Sequence, residues 1–153
     1  METTTTIYTI QALDADVADA LRARGGRVLR VDANPGWPCR QCLCDIDVGD
    51  EALLVSYDPF EAGSTSAYHS ASPIFLHCRA CATAAPTADA PTQLTSRLLS
   101  VRAFDADDQM VHARFVAGST LDATLAELFA DAGVTFAHVH NAGPGCFAAR
   151  VIR

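Results

Sequence analysis

The sequence has 153 residues, half of them hydrophobic and only 19% charged. That is ample material for one folded core, and it excludes a disordered tail, a collagen-like fibre and a coiled coil. The formal charge is −7 and all 11 basic residues are arginine, so nucleic acid is an unsuitable partner and lysine-dependent Schiff-base or phosphate-loop chemistry is excluded.

The N-terminal METTTTIYTI has neither a basic leader nor an apolar run of signal length, and no stretch approaches the roughly 18 apolar residues of a membrane span. A cytoplasmic protein without membrane contact is expected. Residues 5–11 read as a first strand. Asp14 to Arg24 reads as a helix with Leu13, Val17, Ala20 and Leu21 on one face and Gly25-Gly26 as its stop. Arg27 to Val31 alternates as a second strand, and Asn34-Pro35-Gly36-Trp37-Pro38 is turn material leading into Cys39. Glu51 to Tyr57 and Pro73 to His77 read as strands, separated by a polar loop over about 60–72. A second flexible loop, rich in Ala, Thr and Pro, covers about 82–93.

Arg97 to Phe104 and Met110 to Ala117 form a hairpin around an acidic turn. That turn lacks the glycine and terminal glutamate of a calcium loop. Ser119 or Thr120 caps a helix whose apolar stripe is Leu121, Leu125, Leu128 and Phe129, ended by Gly133. Val134 to His140 and Cys146 to Ile152 form a second hairpin. The expected fold is a single α+β domain over residues 1–153, a mostly antiparallel sheet with two packed helices and a C-terminal hairpin–helix–hairpin.

Six cysteines in a cytosolic chain argue for metal binding, reactivity or burial rather than disulfides. Cys39-x-x-Cys42 and Cys78-x-x-Cys81 can each present two thiolates, together the four-sulfur shell that zinc prefers. Three features loosen the pattern. Leu43 and Ala82 stand where a knuckle glycine usually does, the pairs are farther apart than in compact zinc modules, and Cys44, His69 and His77 offer alternative ligands. A redox role for Cys39-x-x-Cys42 is disfavoured, because no helical pattern follows it. Buried thiols packed as small apolar groups are the plain alternative.

Strand parity gives a second candidate. Phe136, His138 and His140 share one face of their strand, and Cys146, Ala148 and Arg150 share a face of the returning strand. An odd loop between these strands sets His140 opposite Cys146, whereas an even loop separates them. The same parity groups Arg102 with His112 and Arg114. Such a face suits a small anionic molecule, with arginines as paired donors and histidines titrating near neutral pH. A cysteine beside a histidine also has the makings of a nucleophile, Cys146, and a base, His140. An ordinary solvated sheet face is the plain alternative.

Pro38-Cys39-Arg40, Ser56-Tyr57, Pro73-Ile74-Phe75, the run Leu99 to Asp105, His138-Val139-His140-Asn141 and the run Gly145 to Val151 resemble the bacterial family called domain of unknown function 1203. The resemblance is weakest over residues 1 to 30 and implies a single-domain cytosolic protein with no assigned activity. It also implies that Cys39 and Cys146 belong to the family pattern, whereas serine often replaces Cys42 and Cys78 need not be cysteine. Arg40, Tyr57, Tyr68, Arg102, His138, His140, Asn141, Cys146 and Arg150 fall in matching segments, and His112 does not. Three functions therefore stand as expectations. They are an anion-binding domain using Arg40, Tyr57, Tyr68, Arg102, His138, His140, Asn141 and Arg150, a zinc-stabilised module on Cys39, Cys42, Cys78 and Cys81, and a thiol enzyme. A homodimer is compatible with each.

Overall fold

The computed structural model describes residues 7–153. The strand expected over residues 5–11 is observed as β1, Thr9–Gln11, and its first two residues lie outside the described residues. Helix α1 covers Ala15–Arg24 and ends at Gly25, where φ of +79° takes the chain out of the helix. Then come β2 (Arg27–Arg30), β3 (Glu51–Tyr57) and β4 (Ser72–His77). Next are a short helix α2 (Thr92–Thr95), β5 (Leu98–Phe104), β6 (Met110–Ala117), helix α3 (Leu121–Phe129), β7 (Phe136–Asn141) and β8 (Phe147–Ile152). No helix among the described residues is long and apolar enough to cross a membrane.

All named strand pairs are antiparallel, but they form two sheets rather than one. A five-stranded sheet runs β1-β8-β7-β5-β6 and a three-stranded sheet runs β2-β3-β4. The two expected C-terminal hairpins are the heart of the larger sheet, joined through β5 and β7. Its helix-side face carries Val101, Ala103, Ala137, Val139, Ala149 and Val151, covered by Leu121, Leu125, Leu128 and Phe129 of α3 and by Leu94 of α2. Gly118 permits this close docking, because a Cβ there would lie 2.0 Å from the Leu94 carbonyl oxygen.

The small sheet builds a second core with α1. Leu13, Ala18 and Leu21 pack with Leu53, Val55, Ile74 and Leu76. Phe147 of the larger sheet inserts into this core, and its N–H donates to Ser72 Oγ at 3.2 Å. Trp37 lies against Phe75 with ring centroids 4.9 Å apart. The segment 82–93, expected to be a loose loop, is pinned to the free edge of β1. Ile10 and Thr87 exchange backbone hydrogen bonds of 2.7 and 3.0 Å, which satisfies an exposed strand edge.

Candidate metal centre and the histidine face

The four residues that converge are Cys39, Cys42, His77 and Cys81, whose ligand atoms all lie within 4.8 Å of one another. His77 takes the place expected of Cys78, and the reason is strand parity. Successive side chains of an extended strand point to opposite faces, so β4 can send only one of these two neighbours towards Cys39. Segment 38–40 runs along the outer edge of β4, where the Arg40 N–H donates to the Phe75 carbonyl and Cys39 bridges Phe75. Phe75 and His77 share a side, and Cys78, just past the end of β4, borders a separate hollow with Arg30, Asp50 and Arg79 and is not among the converging ligands.

The knuckle forms without glycine. The Leu43 N–H donates to the Cys39 carbonyl at 3.1 Å, and Leu43 adopts φ of +56°. A leucine in this left-handed region costs roughly 1–2 kcal/mol. Leu43 is itself buried, and burying such a side chain contributes roughly 1.5–3 kcal/mol, enough to offset the strain.

Cys39 Sγ and Cys81 Sγ are 3.8 Å apart, and Cys42 Sγ is 3.7 Å from His77 Nδ1. Zinc–ligand bonds of about 2.3 Å to sulfur and about 2.0–2.1 Å to nitrogen give tetrahedral edges of about 3.8 and 3.6 Å. The two observed edges fit. The surroundings favour one thiolate, at Cys39, while burial raises the Cys81 thiol. A hydrogen bond from the Cys42 thiol and backbone N–H groups of Cys42, His77 and Gln41 pull the Cys39 thiol well below its ordinary range, against the opposing effect of burial. The same contact, with burial, pushes the Cys42 thiol up. Arg22 ties α1 to the cluster, donating from Nη2 to Cys81 Sγ at 3.7 Å and from Nε to the His77 carbonyl at 2.9 Å. Cys44 is exposed and His69 contacts Asp58, so neither joins.

The other expected residues fall into two places. On the face of the large sheet away from α3, Arg102, His138 and Arg150 pair in one row across β5, β7 and β8. His138 is only 1% exposed and sits among Phe60, Phe104, Phe136 and Phe147, with ring centroids 4.8–5.4 Å away. Among the described residues neither of its ring nitrogens has a partner, nor does Nε of Arg150. Burial, then the neighbouring His140, Arg150 and Arg102, lowers the His138 pKa to about 3. Burial likewise lowers that of His140 to about 4. Both rings are neutral at pH 7, so the expectation that they titrate near neutrality is corrected by their burial. Tyr57 packs tilted against Phe147 with centroids 5.7 Å apart, and exposed Tyr68 rests against Phe104.

Two parity expectations fail. Arg102 pairs with Ala113, so His112 and Arg114 lie on the opposite face, where His112 bonds Asp131 at 2.8 Å. His140 pairs with Phe147 rather than Cys146, because a bulge follows Val139 and the Asn141 N–H bonds the Cys146 carbonyl. Only Ala142 to Gly145 remain in the turn, and an even turn sends the two side chains apart. His140 Nδ1 instead meets the Gly145 carbonyl at 2.9 Å, leaving no nucleophile–base pair between Cys146 and His140.

Cys146, Asn141 and Arg40 line a different cavity. Arg40 is buried there, donating from Nε to the Phe147 carbonyl, from Nη1 to the Pro38 carbonyl and from Nη2 to Cys146 Sγ at 2.7, 2.6 and 3.0 Å.

Compared with protein families, residues 36–153 match the model described as "Protein of unknown function (DUF1203)". The chain belongs to this family. The DUF1203 match includes all four converging ligands and six of the eight strands, and leaves out β1, α1 and β2. No curated protein and no solved structure matches the chain.

Proposed function

We propose that this DUF1203 chain is a zinc-binding domain in which Cys39, Cys42, His77 and Cys81 hold a structural ion. The observation that carries the reading is the pair of 3.8 and 3.7 Å ligand edges, which match two edges of a tetrahedral zinc shell, with all four ligand atoms within 4.8 Å of one another. Three sulfurs and one imidazole nitrogen favour zinc over harder cations. Four protein ligands fill the shell, which is the mark of a structural rather than a catalytic ion. Such an ion cross-links the 39–42 knuckle, the end of β4 and the start of the long segment that returns to β1. The test is elemental analysis of the full chain purified without metal-affinity steps. Close to one zinc per chain is expected, and less than about 0.2 overturns the reading, because structural sites contribute folding energy and are normally full.

A second reading, a small-anion site, is supported by the row Arg102–His138–Arg150. Neither arginine has a carboxylate partner among the described residues, and His138 and Arg150 keep unpartnered buried nitrogens. Buried donors without partners are costly, and an anion among them satisfies several at once. In this reading the arginines supply charge and the neutral histidines supply N–H donors. Inorganic phosphate is expected to raise the melting temperature of the wild-type chain and to leave that of the doubly substituted R102A/R150A chain unchanged. Equal shifts in both proteins sink the anion site.

A further inference from the structure

We propose that the cavity between the small sheet and the β7–β8 turn binds a small organic acid with an apolar body. The cavity measures about 550 Å³, within the range that encloses a small-molecule ligand. Its walls come from Leu54, Pro73, Phe75, Leu98 and Pro144, and its polar lining from Arg40, Arg97, Asn141 and Cys146. This is the division of surface, mostly apolar with a few fixed polar groups, that orients a ligand by one end.

The charge of the polar end identifies the ligand class. Arg40 is 1% exposed, and its three hydrogen-bond partners are two backbone carbonyls and a thiol sulfur. It makes no ion pair among the described residues. Arg97, on the same lining, is bound through both terminal nitrogens to Asp45, at 2.6 and 3.3 Å. The lining thus holds two guanidinium groups, and the one carboxylate bound to either of them pairs with Arg97, which leaves the Arg40 charge unbalanced in buried surroundings where that is expensive. A carboxylate is the planar, bidentate partner that an arginine fork recognises best. Asn141 adds a second requirement. It is 7% exposed, lines the cavity, and its Oδ1 accepts no hydrogen bond from the described residues, so a hydroxyl or amide N–H on the ligand has an acceptor waiting. An acid with an aromatic or branched body meets the walls, the charge and, where it carries a donor, Asn141.

The probes are phenylacetate and its uncharged amide, phenylacetamide, titrated into the full chain and followed by calorimetry. The acid is expected to bind, and the amide at least about tenfold more weakly, the loss that accompanies removal of one charge-assisted pairing. Ala142 lines the cavity at the turn, so A142W is expected to fill the space and abolish binding. R97Q keeps a donor for Asp45 while removing one charge, and is expected to weaken the acid without affecting the amide. The same samples are assayed for zinc, so failure of the metal reading and failure of the acid site register separately. Absence of acid binding, equal affinity for acid and amide, or undiminished acid binding by R97Q each overturns the proposal.

Discussion

Replacing His77 with alanine is expected to empty the metal centre and unfold much of the small sheet, whereas replacing Cys78 with serine leaves both intact. His77 supplies the fourth ligand atom of the cluster, and Cys78 is not among the converging ligands. Structural zinc contributes an apparent binding free energy on the order of 10 kcal/mol, similar to the whole stability of a typical domain. A loss of even about 5 kcal/mol lowers the melting temperature of a chain this size by roughly 10–20 °C. H77A is therefore expected to contain less than about 0.2 zinc per chain and to melt at least about 10 °C lower. C78S is expected to keep its zinc and to lose no more than about 1 kcal/mol of packing. Zinc retained by H77A and lost from C78S would reverse the ligand assignment.

The second large effect is acid lability. An accessible histidine in the unfolded chain titrates near 6.5, while His138 and His140 in the folded chain are lowered to about 3 and about 4. Between these values the unfolded state binds more protons than the folded state, so stability rises with pH across the window. The stability contributed by two neutral, buried rings is fully present above about pH 6.5 and is lost as pH falls towards 4 and then 3. Each ring accounts for an upper limit of about 3 kcal/mol by pH 4. Urea midpoints measured from pH 7 to pH 4 should fall steeply, and H138L should flatten the slope by about one proton. H138L should also raise stability at pH 7, because leucine replaces a ring with two unpartnered buried nitrogens. A slope in H138L identical to the wild type would mean that His138 is already protonated in the folded chain.

The sequence carries a good deal of this architecture on its surface. β5, β6, α3, β7 and β8 follow from alternation and an apolar stripe, since each pairs with or packs on a near neighbour in the chain. The partition into two sheets is not legible in that way. It depends on the three residues of β1 pairing with β8 at the far end of the chain, a choice made by tertiary packing rather than local pattern. Residues 39, 42 and 81 were readable as ligands from spacing. His77 was legible only as one of several alternative ligands; choosing it over Cys78 needed the knowledge that the Cys39 segment lies along β4. The face of His138 and Arg102 reads as solvated in a list of polar residues. What covers it is Phe60, which belongs to a segment that sequence composition marks only as a polar loop.

Trp37 is the only tryptophan in the chain, and it packs against Phe75 of the small sheet, two residues before Cys39. Its fluorescence therefore reports on the knuckle and its sheet, while the larger sheet, with its own helix and core, is silent at that wavelength. Circular dichroism in the far ultraviolet sums both. Superimposable denaturation curves from the two signals mean that the cores melt as one cooperative unit. An earlier transition in fluorescence, appearing only after chelation, would place the metal's contribution in one half of the molecule. The protein thus carries a built-in optical label at the point where its two halves are most usefully told apart.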